Sequence, residues 1–161
     1  MVAIRPGRPE DRNAAIAVWR DAQLARRAGH PFPPEHEQRV RAYLEKANAF
    51  FVVAEENGAV LGMALGMQGL ADDGAGPPVP GLCHVAMVFV APERWGEAIG
   101  GRMVDELLLA ARSRGYRRAQ LWTHADNPRA QRLYERRAFR PSGRRKDDEL
   151  GEAIVHYERP L

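Results

Sequence analysis

The chain has 161 residues, 45% of them hydrophobic and 28% charged, which is enough for one ordinary domain with a buried core and too balanced for a disordered segment. Its 24 basic residues face 21 acidic ones for a net charge of +3, and only Lys46 and Lys146 are lysines, so arginine interleaved with acid predicts a solvated surface and no nucleic-acid partner. No apolar run approaches a membrane span, Met1 to Pro6 lacks the parts of a secretory signal, and the single cysteine, Cys83, excludes an internal disulfide and a multi-cysteine metal site, so a cytoplasmic protein with no membrane partner is expected.

Val2-Ala3-Ile4-Arg5 reads as an opening strand ended by Pro6. Glu10-Asp11 is placed to cap a helix in which Ala15, Ile16 and Trp19 share one side, running to about Ala28-Gly29. His30-Pro31-Phe32-Pro33-Pro34 is a loop, and Glu35 to Ala47 is a second helix with Val40, Tyr43, Leu44 and Ala47 on its inner stripe. Phe50 to Glu55 and Val60 to Met67 are antiparallel strands, because the Asn57-Gly58 pair between them tolerates the positive φ of a tight hairpin. Asp72 to Gly81, dense in glycine and proline, reads as a mobile surface loop.

His84 to Val90 is apolar enough for a central strand, with Cys83 packing beside it as a small hydrophobe. Ile99, Met103, Val104, Leu107, Leu108 and Ala111 mark the inner face of a long helix that stops near Gly115. Arg118 to His124 is a further strand, Pro128 to Arg137 a helix, and Phe139 to Arg144 and Ile154 to Arg159 closing strands. This order predicts an α/β domain with a mixed sheet over residues 1–161.

Two segments carry chemistry. In the first, the strand residues Val88-Phe89-Val90 run into Ala91-Pro92-Glu93-Arg94-Trp95-Gly96-Glu97-Ala98-Ile99-Gly100-Gly101-Arg102, where a glycine-rich turn opens an amphipathic helix. Glycines let backbone N–H groups point at an anion, and the helix start adds the positive end of its dipole, so the turn reads as a phosphate cradle. It is not a Walker loop, since Arg102-Met103 stands where that chemistry needs lysine and a hydroxyl, and Ala98 breaks the dinucleotide-binding glycine pattern. In the second segment, Asn127-Pro128 is a helix start, with Asn as cap and Pro at the first helical position. Ala130 and Tyr134 then stand four apart, so a small residue lets a thin ligand pass before it meets a phenol.

Taken together, the two segments resemble the GNAT family of acetyl-CoA-dependent N-acetyltransferases. The family's pyrophosphate loop, Gln/Arg-x-x-Gly-x-Gly/Ala, aligns with Trp95 to Gly100, with Trp95 in the Gln/Arg position and Ala98 in that of the first glycine. Its Asn-x-x-Ala-x-x-x-Tyr helix aligns with Asn127, Ala130 and Tyr134, and the Gly-Phe that follows is Ala138-Phe139 here. The resemblance implies a mixed, mostly antiparallel central sheet of about seven strands flanked by four helices. It implies acetyl-CoA as cosubstrate, held by Val88, Phe89 and Val90 through backbone N–H groups, by the turn from Arg94 through Trp95, Gly96, Glu97, Ala98, Ile99, Gly100 and Gly101 to Arg102, and by Asn127, Ala130 and Tyr134. It also implies a catalytic Tyr134 that protonates the departing thiolate, and no metal.

Counting back along the strand, His84 occupies the place where some family members keep a glutamate base, and its ordinary pKa near 6.5 suits deprotonation of an amine through water. Arg94 and Arg102 border the turn and are the first choices for CoA phosphates, ahead of Arg129, Arg132, Arg136 and Arg137. The acceptor is a small-molecule or peptide amine. His30, Phe32, Asp72-Asp73, His124 and His156-Tyr157 are candidates to line its pocket. A non-catalytic acyl-CoA sensor and a protein amino-terminal acetyltransferase are the rival readings, and the sequence leaves a homodimer open.

Overall fold

A computed structural model describes residues 1–161. In chain order the elements are β1 (Ala3–Pro6), α1 (Arg12–Arg26), α2 (Pro34–Glu45), β2 (Phe50–Glu56), β3 (Ala59–Leu70), β4 (Pro78–Val90), α3 (Ile99–Ser113), β5 (Arg118–His124), α4 (Pro128–Glu135), β6 (Arg140–Asp147) and β7 (Ala153–Pro160). The seven strands form one sheet in the order β1-β2-β3-β4-β5-β7-β6. Its β4–β5 pair is parallel, whereas β1–β2, β2–β3, β5–β7 and β6–β7 are antiparallel, so the sheet is mixed as expected from sequence. No helix is long and apolar enough to cross a membrane.

The chain gathers into two compact units, Met1–Met67 with Met87–Leu107, and Gln68–Ala86 with Leu108–Leu161. In the first, Asn57 (φ 52°) and Gly58 (φ 80°) close the β2–β3 hairpin with the positive angles its tight turn demands. Ile16 and Trp19 from α1, Val53 from β2, Met63 and Leu65 from β3, and Met103, Val104 and Leu107 from α3 are buried as its core. The first helix ends at Arg26, short of Ala28-Gly29, because both of those residues take positive φ and the Gly29 N–H donates to the Leu24 carbonyl at 2.7 Å.

Asp11 does precede α1, but its carboxylate makes no cap bond to that helix. It accepts from both terminal nitrogens of Arg5, at 2.8 and 3.0 Å, and from the Arg8 backbone N–H at 2.8 Å. Arg5 also reaches Glu55 at 2.5 Å, so one guanidinium joins β1, β2 and the start of α1. The Arg5 bonds hold the Asp11 carboxyl below its ordinary value against the cost of burial. A carboxyl depressed in the folded state stabilises above its unfolded pKa, and that contribution fades as pH falls through the folded value. Asp11→Asn is therefore expected to cost about 2 kcal/mol near neutrality. Urea unfolding at decreasing pH should show the gap from wild type closing below the ordinary carboxyl value of 3.8.

In the second unit, β5 alternates cleanly. Ala119, Leu121 and Thr123 are buried, while Gln120, Trp122 and His124 are half-buried on the other face. Phe139, Leu121 and Tyr157 are the large groups of this core. Two expectations change here. The loop expected over Asp72 to Gly81 ends early, because β4 already begins at Pro78. The Gln68 side-chain amide donates to the carbonyls of Val79 (2.7 Å) and Leu82 (3.3 Å), which draws that proline-rich stretch into extended structure beside β3. What lies outside the strands is a short turn, pinned by the Ala71 N–H on the Pro77 carbonyl at 2.9 Å, with Asp73 paired to Arg144. The strand expected from Phe139 instead starts at Arg140 and runs to Asp147, since Phe139 is fully buried against Tyr134.

Candidate active site

Strand β4 leaves its parallel partner early. The β4–β5 ladder holds Leu82↔Arg118, Cys83↔Ala119 and His84↔Gln120 and stops there, while the strand runs on through half-buried Val88, Phe89 and Val90. Beyond Val90, the Ala91 N–H donates to the Leu61 carbonyl at 2.7 Å and fixes where the turn begins. Pro92–Arg94 form a single 3₁₀ turn, and Trp95, half-exposed, folds its indole N–H back onto the Val90 carbonyl at 2.8 Å. Gly96 (φ 93°) and Ala98 (φ 62°) then turn the chain into α3 at Ile99.

The amides of Ile99 and Gly100 open that helix, where the backbone has no helical acceptor to offer them. Gly96, Glu97 and Ala98 are exposed, so nothing bulky sits over the turn. Both features fit an anionic ligand held by main chain at the positive end of a helix. Ala98 is in the left-handed region that its alignment with a glycine anticipates, at a cost of about 1–2 kcal/mol. Glycine there loses more chain entropy on folding, so Ala98→Gly is expected to gain about 0.5–1 kcal/mol. Chemical denaturation measures that gain directly.

The arginines at the turn are engaged within the protein. Arg94 donates to Glu97 at 2.6 and 2.9 Å and to Glu56 at 3.1 Å, and Glu56 also holds the amino terminus at 3.0 Å. Glu97 first, then Glu56, strengthen the guanidinium's hold on its proton, so Arg94 braces the turn as a fixed cation. Arg102 donates to the Val2 carbonyl at 2.9 Å. The i,i+3 pair Arg94–Glu97 was available to sequence reading, whereas Glu56 lies on a strand far back in the chain.

In the second unit, Asn127 caps α4 as its sequence predicts, its side-chain oxygen accepting from the Ala130 N–H at 3.1 Å. Gln131 donates to the carbonyls of His124 and Ala125, both at 3.0 Å, which fastens the helix start to the end of β5. Half-buried Ala130 stands one turn before buried Tyr134. The Tyr134 ring packs edge-on against Phe139 at 5.8 Å, and its hydroxyl forms no hydrogen bond within the chain. Burial raises its pKa well above the ordinary phenol value, so the group stays protonated at any working pH. Ala138 takes φ 65° at the second family glycine, ending the helix at Glu135 rather than Arg137.

His84 is half-buried, with its Nδ1 3.5 Å from the Gln120 amide nitrogen. Of the candidate acceptor residues, Phe32 packs edge-on against Trp19 at 4.8 Å, and His30 is exposed. His124 Nε2 lies 3.1 Å from Asp148 and 3.3 Å from Glu152. Burial alone would raise the Asp148 carboxyl, but the Glu152 and Leu150 amides and His124 outweigh it and bring it down. His156 is buried, and Tyr157 donates to Glu135 at 2.8 Å, with burial and that bond pushing its pKa up to about 12. Arg129, Arg132 and Arg136 are exposed, and Arg137 donates to the Leu133 carbonyl at 3.3 Å. Sequence reading passed over Gln120, Ser142 and Trp122, the last with Lys146 4.5 Å and Arg144 5.2 Å from its ring. The alternation of β5 was the available signal for Gln120 and Trp122.

A family model described as the acetyltransferase (GNAT) family matches residues 15–139. A comparison with curated proteins finds no match. Among solved structures, the chain is similar to the ribosomal-protein-alanine N-acetyltransferase from Brucella melitensis (TM-score 0.78, 21% identity, 99% of each chain covered). It is also similar to the ribosomal-protein-S18-alanine N-acetyltransferase from Escherichia coli (TM-score 0.75, 19% identity, 100% of this chain and 94% of that one). A third is the PaiA N-acetyltransferase from Thermoplasma acidophilum in complex with coenzyme A (TM-score 0.69, 16% identity, 99% of each). At these identities the likeness is one of fold.

Proposed function

The chain belongs to the acetyltransferase (GNAT) family and is an acetyl-CoA-dependent acetyltransferase, and we propose that it moves the acetyl group to a primary amine by direct attack, as one domain over residues 1–161 and with no covalent enzyme intermediate. Acetyl-CoA supplies a thioester whose carbonyl is the electrophile. The turn from Trp95 to Arg102 grips the pyrophosphate through main-chain N–H groups, with Arg94 bracing the loop and Arg102 beside the phosphates. Asn127 and Ala130 shape the helix face along which the pantetheine arm runs. The N–H groups of Val88, Phe89 and Val90 polarise the carbonyl where charge develops. His84 takes a proton from the amine through water, and Tyr134 gives one to the thiolate that leaves.

The state of Tyr134 carries this reading. A general acid must hold its proton until the leaving group needs it, and Tyr134 is a buried phenol, kept protonated, on a capped helix, with no competing bond inside the chain. Screening an amine library for acetyl-CoA-dependent release of free CoA tests it, with small amines and peptide amino termini as separate arms and Tyr134→Phe as control. Amine-dependent release that Tyr134→Phe loses supports the assignment. Binding of acetyl-CoA with no release for any amine favours an acyl-CoA sensor instead.

A further inference from the structure

Gln120 sits between two histidines on the half-buried face of β5. Its carbonyl oxygen is 3.0 Å from His156 Nε2, and its amide nitrogen is 3.5 Å from His84 Nδ1. On the far side of the His156 ring, Ser142 Oγ lies 2.7 Å from Nδ1 and accepts the Arg144 backbone N–H at 3.2 Å. The strand is shaped for this contact. The β6–β7 register jumps from Pro141↔Tyr157 to Arg145↔Val155, so the residues between, with Gly143 at φ 91°, bulge opposite His156 and aim Ser142 at its ring.

Donor and acceptor chemistry gives the chain a direction. A carbonyl only accepts, so His156 Nε2 carries the hydrogen and donates to Gln120, which leaves the lone pair of a neutral ring on Nδ1 for the Ser142 hydroxyl. The Gln120 amide nitrogen only donates, so His84 Nδ1 is the lone-pair nitrogen. A neutral His156 is what its surroundings favour. Burial first, then Arg144 and Lys146 on β6, lower its pKa, against the opposing pull of Glu158 on β7 and Asp73 in the turn before β4. Arg118 and His124 occupy the same face of β5, and the neighbours of His84 two positions away on β4 are uncharged Leu82 and Ala86.

Protonation of His84 reverses the direction. Both nitrogens of an imidazolium donate, so the Gln120 amide must turn over, its carbonyl accepting from His84 Nδ1–H and its amide donating to His156 Nε2. His156 then carries its single hydrogen on Nδ1 and donates it to Ser142 Oγ. One proton is gained, on His84; His156 exchanges the position of its own and stays neutral.

We propose that Gln120 and His156 are positioning residues that set which nitrogen of His84 holds the lone pair and couple its charge to the Ser142 end of the chain. The proposal rests on the reading of His84 as general base, with the proton it takes through water landing on Nδ1, since Nε2 of the neutral ring already carries its hydrogen. Histidine ¹⁵N NMR on the full-length protein, from about pH 5 to about pH 8, reads tautomer and charge without reference to activity. In wild type, the His156 hydrogen is expected to move from Nε2 to Nδ1 in step with proton uptake by His84, with no second proton on His156. Gln120→Glu places a carboxylate beside His84 and should move both its titration and the acidic limb of kcat/KM up by about one pH unit or more. In Gln120→Leu, His156 should ignore His84.

A His156 tautomer that stays fixed through the wild-type titration of His84, or one His84 midpoint shared by wild type and Gln120→Glu, overturns the proposal. The wild-type titration needs no substitution, so a variant that fails to fold does not blunt the test. The two readings separate cleanly. Coupled histidines with an unchanged rate profile in His84→Ala would remove the base and keep the chain, whereas a slow His84→Ala enzyme with uncoupled histidines would do the opposite.

Discussion

Tyr134→Phe is expected to lower kcat by about 10²-fold to 10⁴-fold while leaving KM for acetyl-CoA close to wild type, the pattern of an interaction made only as the leaving group departs. The substitution removes one oxygen. That oxygen forms no hydrogen bond within the chain, and the ring that remains keeps its edge-on contact with Phe139 at 5.8 Å, so thermal unfolding should be nearly unchanged. Steady-state kinetics beside a melting curve therefore separate proton donation from packing. Because burial raises the Tyr134 pKa, the wild-type rate should show no alkaline limb from this group at or below the ordinary phenol value of 10.0. A Tyr134→Phe enzyme with wild-type kcat would remove Tyr134 from the chemistry.

His84→Ala carries the second large effect. A base within water-mediated reach of the amine contributes about 10²-fold to 10⁴-fold, so kcat should fall by that range. The pH profile says more than the rate. In wild type, a histidine base is protonated and inactive at low pH, which gives an acidic limb, and His84→Ala should lose that limb along with the rate. A variant that is slow but keeps the limb would assign the titration to another group and His84 to packing between β4 and its neighbours.

The parts of the fold legible in the sequence are those set by nearest neighbours. Asn57-Gly58 closes its hairpin, Asn127 caps its helix, and the alternation of Arg118 to His124 gives β5 with both of its expected ends. The glycine positions filled by Ala98 and Ala138 are still left-handed, at φ 62° and 65°, so the backbone shape persists where the residue type departs. Distant partners account for the rest. Pro78 to Gly81 reads as loop until the Gln68 amide, from the preceding strand, donates to the Val79 carbonyl and holds the stretch in extended structure. Arg94 reads as a free phosphate ligand until the β2–β3 turn brings Glu56 to it. Asp11 reads as a helix cap until Arg5 claims its carboxylate.

The histidine chain is the least legible feature, because it needs the register of four strands, one of them bulged, before Ser142, His156, Gln120 and His84 fall into line. No spacing in the sequence encodes it. Single residues of that set were visible: His84 from its strand position, His156 as a polar residue on the last strand. Gln120, which joins them, carries no chemistry of its own that would single it out.

The grip of the turn on a pyrophosphate is tested most directly by titrating coenzyme A into the protein in a calorimeter, with pantetheine, which lacks the pyrophosphate and nucleotide, as the comparison. Coenzyme A should bind saturably at one site per chain and far more tightly than pantetheine. No heat with saturating coenzyme A, or equal affinity for the two ligands, would contradict the assignment of residues Trp95 to Arg102.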